Sequence, residues 1–308
     1  MIDLGTNSTR LMVADVSAEG EVIELARETR VTRLGRGVDL TGKLSDEGIE
    51  TVCAAVADYI ATIHPLVPDH VVAIATSAVR DASNGEAFLA ELRERFSPLS
   101  PQVIDGETEA RLTFAGATAG RPDRDACILV ADIGGGSTEL VAGCDGEVEF
   151  WTSLQAGVVR QTERHLSHDP PQPGELEELA DEVRATIVDE ISANPPPHPD
   201  VGIAVAGTPT SLAAIELGIV PYDSTLVHGH KLTMTSIQRA LSKLASVPMA
   251  ERFRLPGLQP ERAPTIVAGV VILVQVMRAF GLEEIVVSEH DILHGAALER
   301  AANPAPAG

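Results

Sequence analysis

The chain has 308 residues, 44% of them hydrophobic, which is material for two ordinary domains with cores of their own. Its formal net charge of -22 rules out the broad basic surface that nonspecific nucleic-acid or membrane binding requires. Any polyanion site must therefore gather its cations locally. The only lysines are Lys43, Lys231 and Lys243, so arginine, the better planar fork for phosphate, carries most of the positive charge. No apolar run is long enough to span a membrane, and no basic segment precedes an apolar one at the N-terminus as in a secretory signal. Cys53, Cys127 and Cys144 are scattered without a C-x-x-C, and read as small buried thiols of a reducing cytoplasm. Scarce lysine and abundant alanine point to a GC-rich bacterial genome.

In chain order, Arg10 to Val16 and Glu21 to Val31 read as strands joined by a turn at Asp15 to Gly20. Ser45 is an N-cap for a helix over Ile49 to Ile63. Val71 to Ala75 is a buried strand, Ala87 to Phe96 a charged helix and Gln102 to Ile104 a short strand. The same grammar then restarts. Cys127 to Ile133 and Thr138 to Ala142 are strands around a glycine turn, and Asp145-Gly146 turns the chain into Val148 to Ser153. Helices follow at about 156–167 and 173–193, then a strand from Val201 to Ala206 and a helix opened by Gly207. The last third is mostly helical, with a strand at Ile285 to Ser288 and a Pro/Ala/Gly-rich tail over 303–308 expected to be disordered.

An internal repeat organises this pattern. Asp3-Leu4-Gly5-Thr6-Asn7-Ser8 is echoed by Asp132-Ile133-Gly134-Gly135-Gly136-Ser137, both D-x-G-x-x-S between two strands. Glycine turns of this kind present backbone N–H groups to phosphate oxygens. A carboxylate beside bound phosphate repels it unless a cation stands between, so Asp3 and Asp132 are candidate Mg²⁺ partners. Gly207 and Thr208 open a third glycine turn at a helix N-terminus, either an anion site or a plain cap through Thr208 or Thr210. Arg27, Arg30, Arg33 and Arg36, taken as one strand, form either a track for a long polyanion or a solvated edge.

These motifs resemble the exopolyphosphatase/guanosine pentaphosphate phosphatase family, within the superfamily of actin, sugar kinases and chaperone ATPases. Asp3 to Arg10 is similar to its first phosphate loop and Asp132 to Leu140 (DIGGGSTEL) to its second. Ala75 to Arg80 resembles the segment with a substrate-facing arginine, Asp105 to Leu112 the segment with the catalytic glutamate, and Gly207 to Gly218 the third loop. Leu255 to Leu258 with Arg262, and Ser288 to Gly295, match the C-terminal half, so the likeness spans nearly the whole chain.

The resemblance implies an α/β fold of duplicated actin-like (ribonuclease H-like) domains, mixed sheets flanked by helices, with a cleft between domains. The expected division is 1–116 and 117–290, with a helix at about 291–302 returning to the first domain. Hinges are expected near Phe114 to Gly120 and near Glu289. The implied roles are Glu109 as general base and Arg80 as phosphate clamp. Gly5, Thr6, Asn7, Ser8, Gly134, Gly135, Gly136, Ser137, Gly207 and Thr208 are the implied phosphate binders. Asp3, Asp132 and Glu139 are the implied holders of Mg²⁺ or Mn²⁺. The expected activity is metal-dependent release of orthophosphate from the end of inorganic polyphosphate, in the cytoplasm. Guanosine pentaphosphate and nucleoside triphosphates remain open as substrates. A phosphate-transferring kinase and a non-catalytic polyphosphate or alarmone sensor are the competing classes, and the exposed seam of a two-domain chain leaves room for a homodimer.

Departures from the family pattern are also visible. Only Met1 and Ile2 precede Asp3, so the first strand is expected to be short. Thr108 stands where some relatives carry a second glutamate, Glu107 points elsewhere along a helix, and His294 occupies a place often acidic. The helical domains that extend longer relatives have no counterpart here, which implies a shorter grip on the substrate.

Overall fold

Two mixed sheets flanked by helices organise the chain in the computed structural model, which describes residues 1–97, 99–121 and 126–303. The first half runs β1 (Ile2–Leu4), β2 (Ser8–Val16), β3 (Val22–Val31), α1 (Val38–Thr41), α2 (Asp46–Ile63), β4 (Val72–Ala75), α3 (Ser77–Asp81), α4 (Gly85–Arg95), β5 (Ser100–Val103) and α5 (Gly106–Thr118). The second runs β6 (Ile128–Ile133), β7 (Thr138–Cys144), β8 (Glu147–Leu154), α6 (Val158–His165), α7 (Pro173–Ala193), β9 (Val201–Val205), α8 (Gly207–Leu217) and α9 (Ser224–Val227). It ends with β10 (Lys231–Thr233), α10 (Met234–Ser246), α11 (Met249–Arg252), α12 (Ile266–Ala279), β11 (Glu284–Val287) and α13 (Ile292–Ala302). Contacts divide the chain into a first unit, Met1–Gly120 with Ile292–Gly308, and a second, Arg121–Asp291. Of the tail expected to be disordered, residues 304–308 lie outside the described residues.

The repeat extends from the motif to the whole topology. The first sheet has the order β3-β2-β1-β4-β5. The second, read as β8-β7-β6-β9-β11, has the same order with β10 added at one edge. In both, the first three strands pair antiparallel and the next two join in parallel. Local chemistry accounts for the elements. Ser45 caps α2 by accepting the Gly48 N–H at 3.2 Å. Asp145 and Gly146 take positive φ values of 53° and 81°, the two-residue turn that tightens the β7–β8 hairpin. α12 is buried on every side from Ile266 to Met277, which is why its sequence shows no polar stripe. No helix among the described residues is long and apolar enough to cross a membrane.

Two expectations need correction. Cys127 and Cys144 are not thiols: they form a disulfide, with Cα atoms 4.1 Å apart. The cause is register. Ile128 faces Gly143 across the β6–β7 ladder, so the residues one step outward face each other. Cys53 is free and buried, and burial pushes its thiol pKa up. The arginine run is not one strand either. β3 stops at Val31, leaving Arg33 and Arg36 on the loop that follows.

α13 belongs to the first unit, where it lies along α5. His294, the departure noted above, is buried there and meets Glu24 at 2.9 Å. The approach is close because Gly295 has no side chain: a Cβ there would stand 1.8 Å from the Leu112 carbonyl oxygen. Alanine at this helical position would gain about 1 kcal/mol of propensity. The clash is with backbone, which cannot rotate away, so it outweighs that gain. Gly295→Ala is expected to destabilise the protein by at least about 2 kcal/mol, read as a fall in the urea midpoint. An unchanged midpoint would mean that α13 does not seat on α5 at this point.

Candidate active site

Both D-x-G-x-x-S segments close in the same way. The Gly5 N–H donates to the Ser8 carbonyl at 3.1 Å, and the Gly134 N–H to the Ser137 carbonyl at 3.0 Å. The carbonyls inside each turn are then held by the segment that follows the third strand of the same unit. In the first unit, Thr32 and Arg33 donate their N–H groups to the Asn7 carbonyl at 3.0 and 2.9 Å, and Gly35 donates to Thr6 at 2.8 Å. In the second unit, the N–H groups of Gly157, Val158 and Val159 reach the carbonyls of Gly136, Gly134 and Gly135 at 3.2, 2.9 and 2.8 Å. The Arg160 Nε adds a bond to the Gly136 carbonyl at 2.9 Å. With the carbonyls tied back, no backbone bond outside the strand ladders takes the N–H groups of Thr6, Asn7, Gly135, Gly136 and Ser137 among the described residues, and N–H groups in such turns are the kind that can face an anion. The buried Ser8 Oγ has no hydrogen-bond partner among the described residues, and neither does the buried Ser77 Oγ at the start of α3.

The two halves differ at the residue facing each aspartate. Asp3 pairs across the ladder with Arg10, which grips it through Nε at 2.8 Å and a terminal nitrogen at 2.7 Å. Asp132 pairs across the equivalent ladder with Glu139, and both carboxylates are buried. Ser153, the next residue across, donates its hydroxyl to Glu139 at 2.7 Å and fixes it. Like charges directly opposite disfavour the sheet, and a divalent cation reverses the sign of that interaction. The donor set Asp132 and Glu139 thus fits Mg²⁺, which takes one or two carboxylates and fills its shell with water and phosphate. The expected trio draws on both units, Asp3 from the first and Asp132 with Glu139 from the second. No three His, Cys, Asp or Glu side chains gather as a metal-holding group among the described residues, and Arg10 already balances Asp3.

Glu109 and Arg80 do come together. Asp105 caps α5 by accepting the Thr108 N–H at 2.8 Å, which puts Glu109 in the first helical turn, where the helix dipole favours negative charge. Arg80, at the end of α3, donates to Glu109 Oε2 at 3.0 Å and to the Ile104 carbonyl at 3.0 Å. Glu109 is 6% exposed, whereas Glu107 is exposed on another face and does not substitute for the missing second glutamate.

The third loop is a helix N-terminus without a side-chain cap. Neither Thr208 nor Thr210 caps α8; Thr210 instead donates back to the Ala206 carbonyl at 3.0 Å. Ala206 sits at φ 72°, a backbone conformation that costs an alanine about 1–3 kcal/mol and recurs at ligand sites. The Arg262 guanidinium lies against Gly207, where a Cβ would meet it at 1.7 Å. Sequence reasoning missed the holding segments, Ser77 and Ser153. Gly157 looks like any helix-opening glycine, and only a buried glutamate in an otherwise apolar strand signalled that Glu139 needs a partner.

The duplicated α/β topology thus carries a glycine turn in each half, with an Arg–Glu pair in the first and a buried carboxylate pair in the second. The chain belongs to the Ppx/GppA phosphatase family, whose model matches residues 12–303, and it is a phosphoanhydride hydrolase. It is 36% identical to Exopolyphosphatase 2 of Mycobacterium tuberculosis over 97% of both chains. The fold is similar to that of a crystallised exopolyphosphatase-like protein, at a TM-score of 0.91 and 34% identity over 98% of both chains. It is also similar to the Aquifex aeolicus member of the Ppx/GppA family, at a TM-score of 0.81 and 31% identity, covering 99% of this chain and 98% of that one.

Proposed function

We propose that the protein is a Mg²⁺-dependent exopolyphosphatase that removes the terminal phosphate of inorganic polyphosphate. The observation that carries this reading is the contact of Glu109 with Arg80. A base for water and a cation for phosphate oxygens are thereby held as one unit. The oxygen of water attacks the terminal phosphorus, and the bridging P–O bond breaks, so the shortened chain leaves with the bonding pair. Glu109 takes the proton of the attacking water, and Arg80 meets charge building on the phosphate oxygens. The N–H groups of the glycine turns hold those oxygens in place. Mg²⁺ held by Asp132 with Glu139 would supply neutralisation of phosphate charge. The name of the M. tuberculosis relative supports polyphosphate as the substrate.

The test is phosphorus NMR of polyphosphates of defined length with Mg²⁺ or Mn²⁺. Orthophosphate should appear and the chains should shorten stepwise, even with acceptor alcohols present; a phosphorylated acceptor or no orthophosphate at all overturns the reading. Metal dependence is checked apart. Chelation should stop release and added Mg²⁺ restore it. Asp132→Asn should raise the Mg²⁺ needed for half-maximal rate by about tenfold or more, since changes beyond the ligands themselves already cost about 10- to 100-fold.

A further inference from the structure

The loop after β3 carries two arginines that the catalytic description leaves unused. Its backbone is pinned to the first glycine turn by the bonds to Asn7 and Thr6. Gly35 presses on the same turn, since a Cβ there would meet Thr6 Cγ2 at 2.2 Å and the Ala78 Cβ at 3.1 Å. On this platform Arg33 holds φ at 51°, a left-handed conformation that most side chains avoid. Arg33 and Arg36 are both exposed, and neither side chain has a hydrogen bond or ion pair among the described residues.

They stay so in a chain with 45 acidic residues against 23 lysines and arginines, as do the exposed Arg239, Arg254 and Arg278, but Arg33 and Arg36 alone of these sit on the loop that holds the first glycine turn. Several other arginines are matched: Arg27 pairs with Glu24, Arg30 with Asp58, Arg95 with Glu50, Arg111 with Glu299 and Arg252 with Asp169. The second unit gives a further contrast. Its equivalent segment turns the Arg160 guanidinium back onto the loop carbonyl it holds. The first unit leaves its cations beside the turn with nothing to bind. The polyanion track read from four arginines thus reduces to these two.

We infer that Arg33 and Arg36 form a subsite for the phosphates that follow the terminal one, and so set a preference for longer linear polyphosphates. The inference rests on the polyphosphate reading above. A guanidinium offers a planar fork to a phosphate, and two of them on a fixed loop can engage successive groups of a chain. A substrate with too few phosphates never reaches them.

The test uses the double variant Arg33→Gly/Arg36→Ala, in which glycine suits the positive φ and preserves the loop. Calorimetry on the full-length protein compares a long polyphosphate with tripolyphosphate. Binding of the long chain should weaken by about tenfold, the loss expected for a charge-assisted contact, while that of tripolyphosphate changes by less than about twofold. The difference should shrink as salt rises. Equal weakening of both ligands, or of neither, overturns the subsite. Turnover is read separately: a wild type that discriminates by length yet releases no phosphate sinks the hydrolase reading and leaves the subsite standing.

Discussion

Glu109→Gln is expected to lower phosphate release by about a hundredfold or more at saturating polyphosphate, with substrate binding largely retained. The change keeps the shape of the side chain and its ability to accept from Arg80, which approaches Oε2 at 3.0 Å. It removes the oxygen that takes a proton. The loss therefore belongs in kcat, because the proton moves only as the attacking water forms its bond to phosphorus. Glu107→Gln is the control, since that side chain is exposed on another face of the same helix. Steady-state release of orthophosphate by the two variants decides the matter. If Glu109→Gln turns over like wild type, another group takes the proton and the assignment fails.

Gly157→Ala is expected to cost at least about 2 kcal/mol of stability and about a hundredfold in kcat/KM. The reason is space, because Gly157 at φ -97° has a backbone open to any residue. A Cβ there would stand 2.3 Å from the Gly135 oxygen and 2.4 Å from the carbonyl carbons of Gly135 and Gly136. All three contacts are backbone of the glycine turn itself. The loop must move, and a shift of about 1 Å in groups that position phosphate is enough for a loss of that size. Gly→Ala at an open position instead stabilises by about 0.4–1 kcal/mol. Gly174, where a Cβ would meet nothing within 4 Å, supplies that contrast. Urea melts and phosphate release on Gly157→Ala and Gly174→Ala together test the point. Matching behaviour in the two would mean that the α6 segment does not wedge the loop.

Much of this protein is legible in its sequence. The strands around both glycine turns, the two-residue hairpin at Asp145-Gly146 and the cap at Ser45 all follow from preferences that act within a few residues. The repeat of D-x-G-x-x-S anticipated a duplicated topology, and the two sheets share one strand order. The strand expected to end at Val31 does end there, so the reading that put all four arginines on one strand fails at Arg33 and Arg36, where the chain turns to hold the carbonyls of Thr6 and Asn7. The reading of the cysteines failed because residues 17 apart met through a ladder register that no local spacing reveals.

By itself the sequence determined the two halves and the positions of the glycine turns, because hydrophobic period and glycine content are local signals, whereas Glu109 and Arg80 stood out only through the family resemblance. Tertiary structure decided what those residues meet. It paired Asp3 with Arg10 but Asp132 with Glu139, so one half carries a closed ion pair and the other a pair of carboxylates suited to a cation. It brought Arg80 to Glu109 across 29 positions and left Arg33 and Arg36 exposed beside the first turn. The physical reason is the same in each case. A side chain's charge partner is set by which strand or helix packs next to it, and that choice depends on burial and register across the whole unit.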